Sequence, residues 1–260
     1  MKSGKVPDDC RQRRGESELI FVVAMTNDNT FAIEASSPPS PRVIGVVWVL
    51  YFVTGGLGAL LTRGIIVSTD AASTANNILT HATLYRAGFA VDLVANLIYV
   101  ALTALLFGLF RRVNPTLALL AAFFSLVGCT VQIMGELLRL APSVVLANPQ
   151  LANAFGAQQL HAAALLSITL YRSVFQISFV LFACFELVTG FLILQSTFLP
   201  RWLGWWWVAG GIAWLTFLWQ PLAMSIWPLL IAGGAAELGL PVWLLVKGVD
   251  TSKWRALQDM

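Results

Sequence analysis

Ionisable and amide side chains recur at helical spacing inside apolar stretches of this sequence, where each is costly and so calls for a role. Asp92, Asn96, Tyr99 and Thr103 are spaced i, i+4, i+7, i+11. Ser125, Cys129, Gln132, Glu136 and Arg139 repeat that progression with one further step, and Arg172, Gln176 and Glu186 follow at i, i+4, i+14. Each spacing puts its set on one face of an α-helix. Such faces offer carboxylates and guanidiniums that pair with one another or with a small ligand or ion. Three of them would be unfavourable against lipid, so they are expected to converge.

Other chemistry finds little support. There is no Walker loop, no His-Glu-x-x-His and no Gly-x-Ser-x-Gly elbow. Two histidines, His81 and His161, could with Asp92 or Glu136 hold zinc, or between them a haem. Nothing in their spacing requires either, and no cofactor is expected. Cys10, Cys129 and Cys184 give no disulfide framework, and the last two lie in apolar runs where a thiol acts as a small hydrophobe.

The elements that must position these groups are long apolar helices. Six segments run roughly Val43–Thr62, Arg86–Phe110, Thr116–Leu140, Arg172–Gln195, Trp202–Pro221 and Ser225–Val246. Each is long enough for a hydrocarbon core of about 30 Å, and each is bounded by a charge, a proline or a polar loop. They lack the alternation of barrel strands. The composition agrees: 58% of residues are hydrophobic and 11% charged, too few charges for the shell of a soluble fold. A net charge of +3 is too small and dispersed for nucleic acid. The expected fold is an all-α integral membrane bundle of about six spans at residues 43–248, with the lipid bilayer as partner and the plasma membrane as location.

The flanks add detail. Residues 1–42 are polar, and Leu19–Met25 is too short to span and lacks a basic leader, since Glu16 and Glu18 precede it. The tail is expected to be disordered, or translation to start at Met25. A short cytoplasmic tail, 249–260, closes the chain. With the N-terminus inside, the cytoplasmic flanks carry Arg42, Arg111, Arg112, Arg201, Lys247, Lys253 and Arg255. The outer side carries Arg63, Arg86, Arg139 and Arg172, which favours both termini inside. Trp202, Trp205, Trp206 and Trp207 beside Arg201 read as an interfacial aromatic belt. Two longer connections then fall outside, with helix-compatible segments at Ala71–Thr83 and Leu151–Ser167.

Counting about 1.5 Å per residue from the outer boundaries sorts the polar groups by depth. Arg86, Asp92, Gln132, Glu136, Arg139, Arg172 and Gln176 fall in the outer half, where acids and bases neutralise one another; Asn96 follows on the face of Asp92. Glu186 and Glu237 fall near mid-depth with no base at their level, and are expected to be proton-sensitive. Gly233, Gly234 and Gly239 around Glu237 suit close helix packing.

An internal echo is also present. Thr83-Leu84-Tyr85-Arg86 opens the second span and Thr169-Leu170-Tyr171-Arg172 the fourth, each with a phenylalanine three residues on (Phe89, Phe175). A parallel duplication of an outer helix plus a two-span hairpin would produce this pattern.

Four blocks carry a family resemblance. They are Tyr85-Arg86-Ala-Gly88-Phe89-Ala-Val-Asp92, Val113-Asn114-Pro115 running on to Phe123-Phe124, Phe198-Leu-Pro200-Arg201-Trp-Leu-Gly204, and Glu237-Leu-Gly-Leu-Pro-Val-Trp243 running on to Lys247-Gly248-Val249. Together, over roughly residues 43–250, the chain resembles the bacterial multi-pass membrane proteins of the DUF4386 type. The resemblance implies several spanning helices and a membrane location, and supplies no activity, cofactor or catalytic residue. Ser173-Val-Phe-Gln176 departs from the family pattern of His-Gly and further glycines at the start of span four.

Three functions stay open on the sequence. The first is a non-enzymatic membrane protein with an outward-opening polar cavity for a small molecule, lipid or cation, lined by Asp92, Glu136, Arg139 and Arg172. The second is an intramembrane enzyme or metal or haem protein using His81 and His161. The third is a structural or regulatory partner whose polar residues only fix helix packing.

Overall fold

The apolar side chains that point outward define this fold. On the first helix Val43, Val46, Leu50, Val53, Leu57 and Leu60 are all exposed, while Ile44, Gly45 and Trp48 are buried. The spacing of three and four makes one continuous apolar stripe on the outer surface, with the packed face opposite. A protein in water would invert that arrangement; one in lipid has no reason to. A computed structural model describes residues 39–256. The tail before it, with the Met25 start and Cys10, lies outside the described residues.

The helices are α1 (Pro41–Leu61), α2 (Ala71–Thr80), α3 (Ala82–Phe110), α4 (Pro115–Val145), α5 (Pro149–Ala154), α6 (Ala157–Gln195), α7 (Arg201–Leu215), α8 (Gln220–Ser225), α9 (Trp227–Val246) and α10 (Thr251–Ala256). No strand occurs among the described residues. Four of them, α1, α3, α4 and α6, are long and apolar enough to cross a membrane. Six helices form a closed ring, in which α1 packs on α3, α3 on α4, α4 on α6, α6 on α7, α7 on α9, and α9 back on α1.

Local chemistry sets the boundaries. Asn114 accepts a hydrogen bond from the Leu117 N–H (3.0 Å), and Pro115 follows at the first helical position, where its missing N–H costs nothing. Gly248, with φ of 71°, stops α9 by the left-handed turn that glycine alone adopts freely. Asp70 caps α2 through the Ser73 N–H (3.0 Å).

Two elements differ from the sequence expectation. From Ala157 onward the expected outer segment Leu151–Ser167 and the fourth span share one 39-residue helix, because Arg172 interrupts hydrophobicity without interrupting helicity, while residues 151–154 belong to the separate α5. At about 1.5 Å per residue α6 is nearly twice the length a hydrocarbon core needs. The fifth segment is shorter than expected: α7 ends at Leu215, and a 3-10 turn, Thr216–Leu218, carries the chain to α8.

At one end of the ring the core is aromatic and dry. Trp48 and Trp207 meet edge to face with centroids 5.4 Å apart, beside buried Leu106, Leu109, Phe110, Leu203 and Leu244. The C-terminal α10 closes this end, with Trp254 buried and its Nε1–H donating to the Leu109 carbonyl (3.1 Å). Polar groups gather at the other end.

Candidate functional site

The polar end is organised around one turn of α4. Glu136 and Arg139 are 3% and 4% exposed, and the guanidinium reaches across to Asp92 on α3. Arg139 Nη1 also lies 3.4 Å from the Glu136 carboxylate, and Nη2 lies 3.4 Å from Thr62 Oγ1 at the end of α1. Room for these atoms comes from glycine. A Cβ on Gly58 would collide with the Asp92 carboxylate, and one on Gly88 would strike the Thr62 methyl and come within 3.1 Å of Arg139 Nη2.

The two tyrosines of the internal echo both reach this turn. Tyr85 donates from its hydroxyl to the Arg139 carbonyl. Tyr171 lies beside the Glu136 carboxyl, with the Arg139 guanidinium 5.7 Å from its ring centroid.

Beside the cluster is a partly open cavity of about 370 Å³. Asp92, Asn96, Gln132, Glu136 and Arg139 supply its polar wall, and Tyr51, Phe52, Tyr171 and Phe175 its aromatic one. Gly55, Gly56 and Ala59 keep the α1 side low. Two acids face one guanidinium, so acid groups outnumber bases in the cavity wall. Acid, amide and ring faces together can hold a small cation or a protonated amine.

The remaining sequence candidates lie elsewhere. Arg86 is exposed at the far side of α3, near Asn148 and Gln150. Arg172 is exposed and donates to Ser68 Oγ (2.8 Å) in the loop after α1. Gln176 is half-buried and does not line the cavity. His81 is exposed at the α2–α3 junction, with Nδ1 3.1 Å from the Asn77 carbonyl. His161 is half-buried on α6, near Asp70. Among the described residues no three metal-ligand side chains come together.

Below the cavity the structure brings Glu186 of α6 and Glu237 of α9 side by side, with Trp214 of α7 next to both. Glu186 is 2% exposed, and neither of its carboxylate oxygens has a hydrogen-bond partner in geometry. Elsewhere in the bundle the Thr103 and Ser125 hydroxyls lie 2.6 Å apart, tying α3 to α4.

Tyr51, Thr62 and Tyr171 were missed as site residues by sequence reasoning. Tyrosine in an apolar helix carries no periodic signal of its own; for Tyr171 the echo with Tyr85 was the available clue.

The family described as "domain of unknown function (DUF4386)" matches the chain over residues 43–248. No curated protein and no solved structure matches it.

Proposed function

The chain belongs to the DUF4386 family, and we propose that it is a non-enzymatic, multi-pass protein of the plasma membrane whose cavity takes up a small cation or cationic molecule from outside. The observation that carries this reading is the surplus of acids over bases in an aromatic-walled cavity, where Asp92 and Glu136 share the single Arg139 guanidinium. Buried charge is costly in a bilayer, and a group retained there without full neutralisation points to use.

All six helices of the ring cross the bilayer in this reading. The closed packing supports it, since α7 and α9 fill the gap between α6 and α1, and the 3-10 turn extends α7 to Leu218. The arginine and lysine bias of the loops supports both termini inside, which turns the cavity outward. That both echo tyrosines meet the Glu136–Arg139 turn from different helices supports the parallel duplication.

A cysteine at position 55 tests the reading. A Cβ on Gly55 meets nothing within 4 Å, and the residue lines the cavity. In a background with Cys10, Cys129 and Cys184 replaced by alanine, Gly55→Cys should react with membrane-impermeant thiosulfonates added outside intact cells. The cationic reagent should outpace the anionic one by about tenfold or more after correction for free-thiol rates, as a charged cleft focuses its counter-ion. Glu136→Gln should collapse that ratio. No reaction from outside, or a faster anionic reagent, rejects the proposal.

A further inference from the structure

The deep acids form a site of their own. Glu186 sits where α6, α7 and α9 meet: a Cβ built on Gly210 would lie 3.0 Å from its Oε2, 3.3 Å from Ala236 Cβ and 3.4 Å from the Gly233 carbonyl. Gly210 thus leaves the space that the carboxyl fills, and Gly233, whose own Cβ would meet Ala213 and Gly210, lets α9 pack close to α7. Glu237 follows Ala236 on the same stretch of α9. Four residues on, Pro241 has no N–H to give the Glu237 carbonyl, so the helix is weakened where the acids meet.

The groups facing the pair come from every neighbouring element. Tyr99 of α3 acts on both acids, and Tyr51 of α1 acts on Glu237. Cys129 of α4 stands behind the two tyrosines. From α7 comes Trp214, whose Nε1–H, like the Glu186 oxygens, has no partner in geometry; Thr189 Oγ1 on α6 is a further buried orphan. No arginine or lysine is among them.

Structural glue does not account for this arrangement. Polar residues that merely hold membrane helices together satisfy each other, as Thr103 and Ser125 do. Here two acids are adjacent, no base is present, and the buried oxygens are unmatched. Two carboxyls so placed are compatible with hydrocarbon when a proton is bound between them. Tyr51 supplies the connection upward, because the same side chain lines the cavity and is also in electrostatic contact with Asp92.

We propose that Glu186 and Glu237 are a proton-binding site, separate from the cavity, that exchanges its proton with cavity water through the Tyr51 hydroxyl. In each exchange an O–H bond of a cavity hydronium breaks, leaving water, as a new one forms at Tyr51 Oη, and the tyrosine's own proton passes to a Glu237 oxygen; the reverse sequence releases it to water. No oxidant, metal or second substrate is needed. The exchange route rests on the cavity being aqueous, whereas proton binding at the pair does not.

Infrared difference spectroscopy on protein reconstituted in phosphatidylcholine vesicles tests both halves. A pH jump should produce a carboxylic-acid carbonyl band that shifts in heavy water. Glu186→Gln and Glu237→Gln, which keep the side-chain volume, should each remove or displace that band while the protein keeps its unfolding temperature within a few degrees. In Tyr51→Phe the band should remain and its hydrogen–deuterium exchange slow by about 100-fold, the low end of what a positioned proton-transfer group contributes. A band unchanged in both glutamine variants, or no such band in the wild type, overturns the site; unchanged exchange in Tyr51→Phe overturns the route. These readings need no ligand and no thiol probe, so they fail or succeed apart from the cavity proposal.

Discussion

Replacing Gly58 by alanine should disconnect Asp92 from Arg139 with a single methyl group. The added Cβ would sit 2.7 Å from Asp92 Cγ and 3.1 Å from Oδ2, with Oδ1 closer still. Those atoms are the carboxylate at the tip of a short side chain, so relief requires Asp92 to turn, and turning carries it off the guanidinium. Removing one partner of a buried ion pair costs about 3–5 kcal/mol, because the other charge is left unmatched. Alanine in a helix recovers about 1 kcal/mol over glycine. The net loss should be about 2–4 kcal/mol, the difference between those two effects. Gly55→Ala is the control: one turn earlier on the same helix, its Cβ meets nothing, and it should be neutral or stabilising by up to about 1 kcal/mol. Unfolding of both variants in the same detergent, followed by denaturant titration, measures the gap. On an Asp92→Ala background the collision is gone, and Gly58→Ala should there behave like the control. Equal stability of the two alanine variants, or a gap that survives in that background, would refute the account of how the cluster is housed.

Two further outcomes follow from the termini of the elements. Trp254→Ala should cost about 3–5 kcal/mol, as for other buried aromatics, and detach α10; Trp254→Phe should keep most of the packing and lose only the hydrogen bond to Leu109, about 1 kcal/mol. Limited proteolysis after Lys253 or Arg255 reads the detachment. At the other end, the Ser73 hydroxyl and N–H hold the Asp70 carboxyl below the usual carboxylate range. A lowered folded value means the cap stabilises α2 fully above the unfolded value, about 3.9, and is lost as pH falls through the folded one. Amide exchange over 71–80 should accelerate in that acid range in the wild type and be pH-flat, after correction for intrinsic rates, in Asp70→Ala.

Much of the fold was legible because lipid leaves few choices. Asn114-Pro115 and Lys247-Gly248 mark helix ends by capping chemistry alone, and the structure begins α4 and ends α9 there. Helix α6 was harder, since hydropathy sees the membrane boundary at Arg172 and the backbone does not. The candidate site was legible along each helix but not across helices. The spacing of Asp92 and Asn96, and of Gln132, Glu136 and Arg139, is a property of one helix and survives into the cavity wall. Arg172 shares a face with Glu186 to within about 40° on an ideal helix, yet is exposed. At its level the neighbour is the loop bearing Ser68, and no periodicity encodes that. Nor could spacing reveal that Glu186 meets Glu237, because α7 stands between their helices in the chain and only Gly210 and Gly233 let them approach.

Two ways of burying ionisable groups coexist in this bundle, one around a shared base and one without a base. At the polar end two acids share one base: Arg139 holds Asp92 and approaches Glu136, Tyr85 fixes the backbone of the same turn, and Gly58 and Gly88 withdraw to make room. Packing accounts for the Asp92–Arg139 pair within that cluster, since removing either partner leaves the other unmatched. Packing alone cannot retain Glu186. Its oxygens are unmatched, another acid stands beside it, and a leucine there would cost nothing electrostatically and fill the space Gly210 leaves. A carboxyl kept against that gradient is kept for its proton, and for the tyrosine that links it to the cavity above.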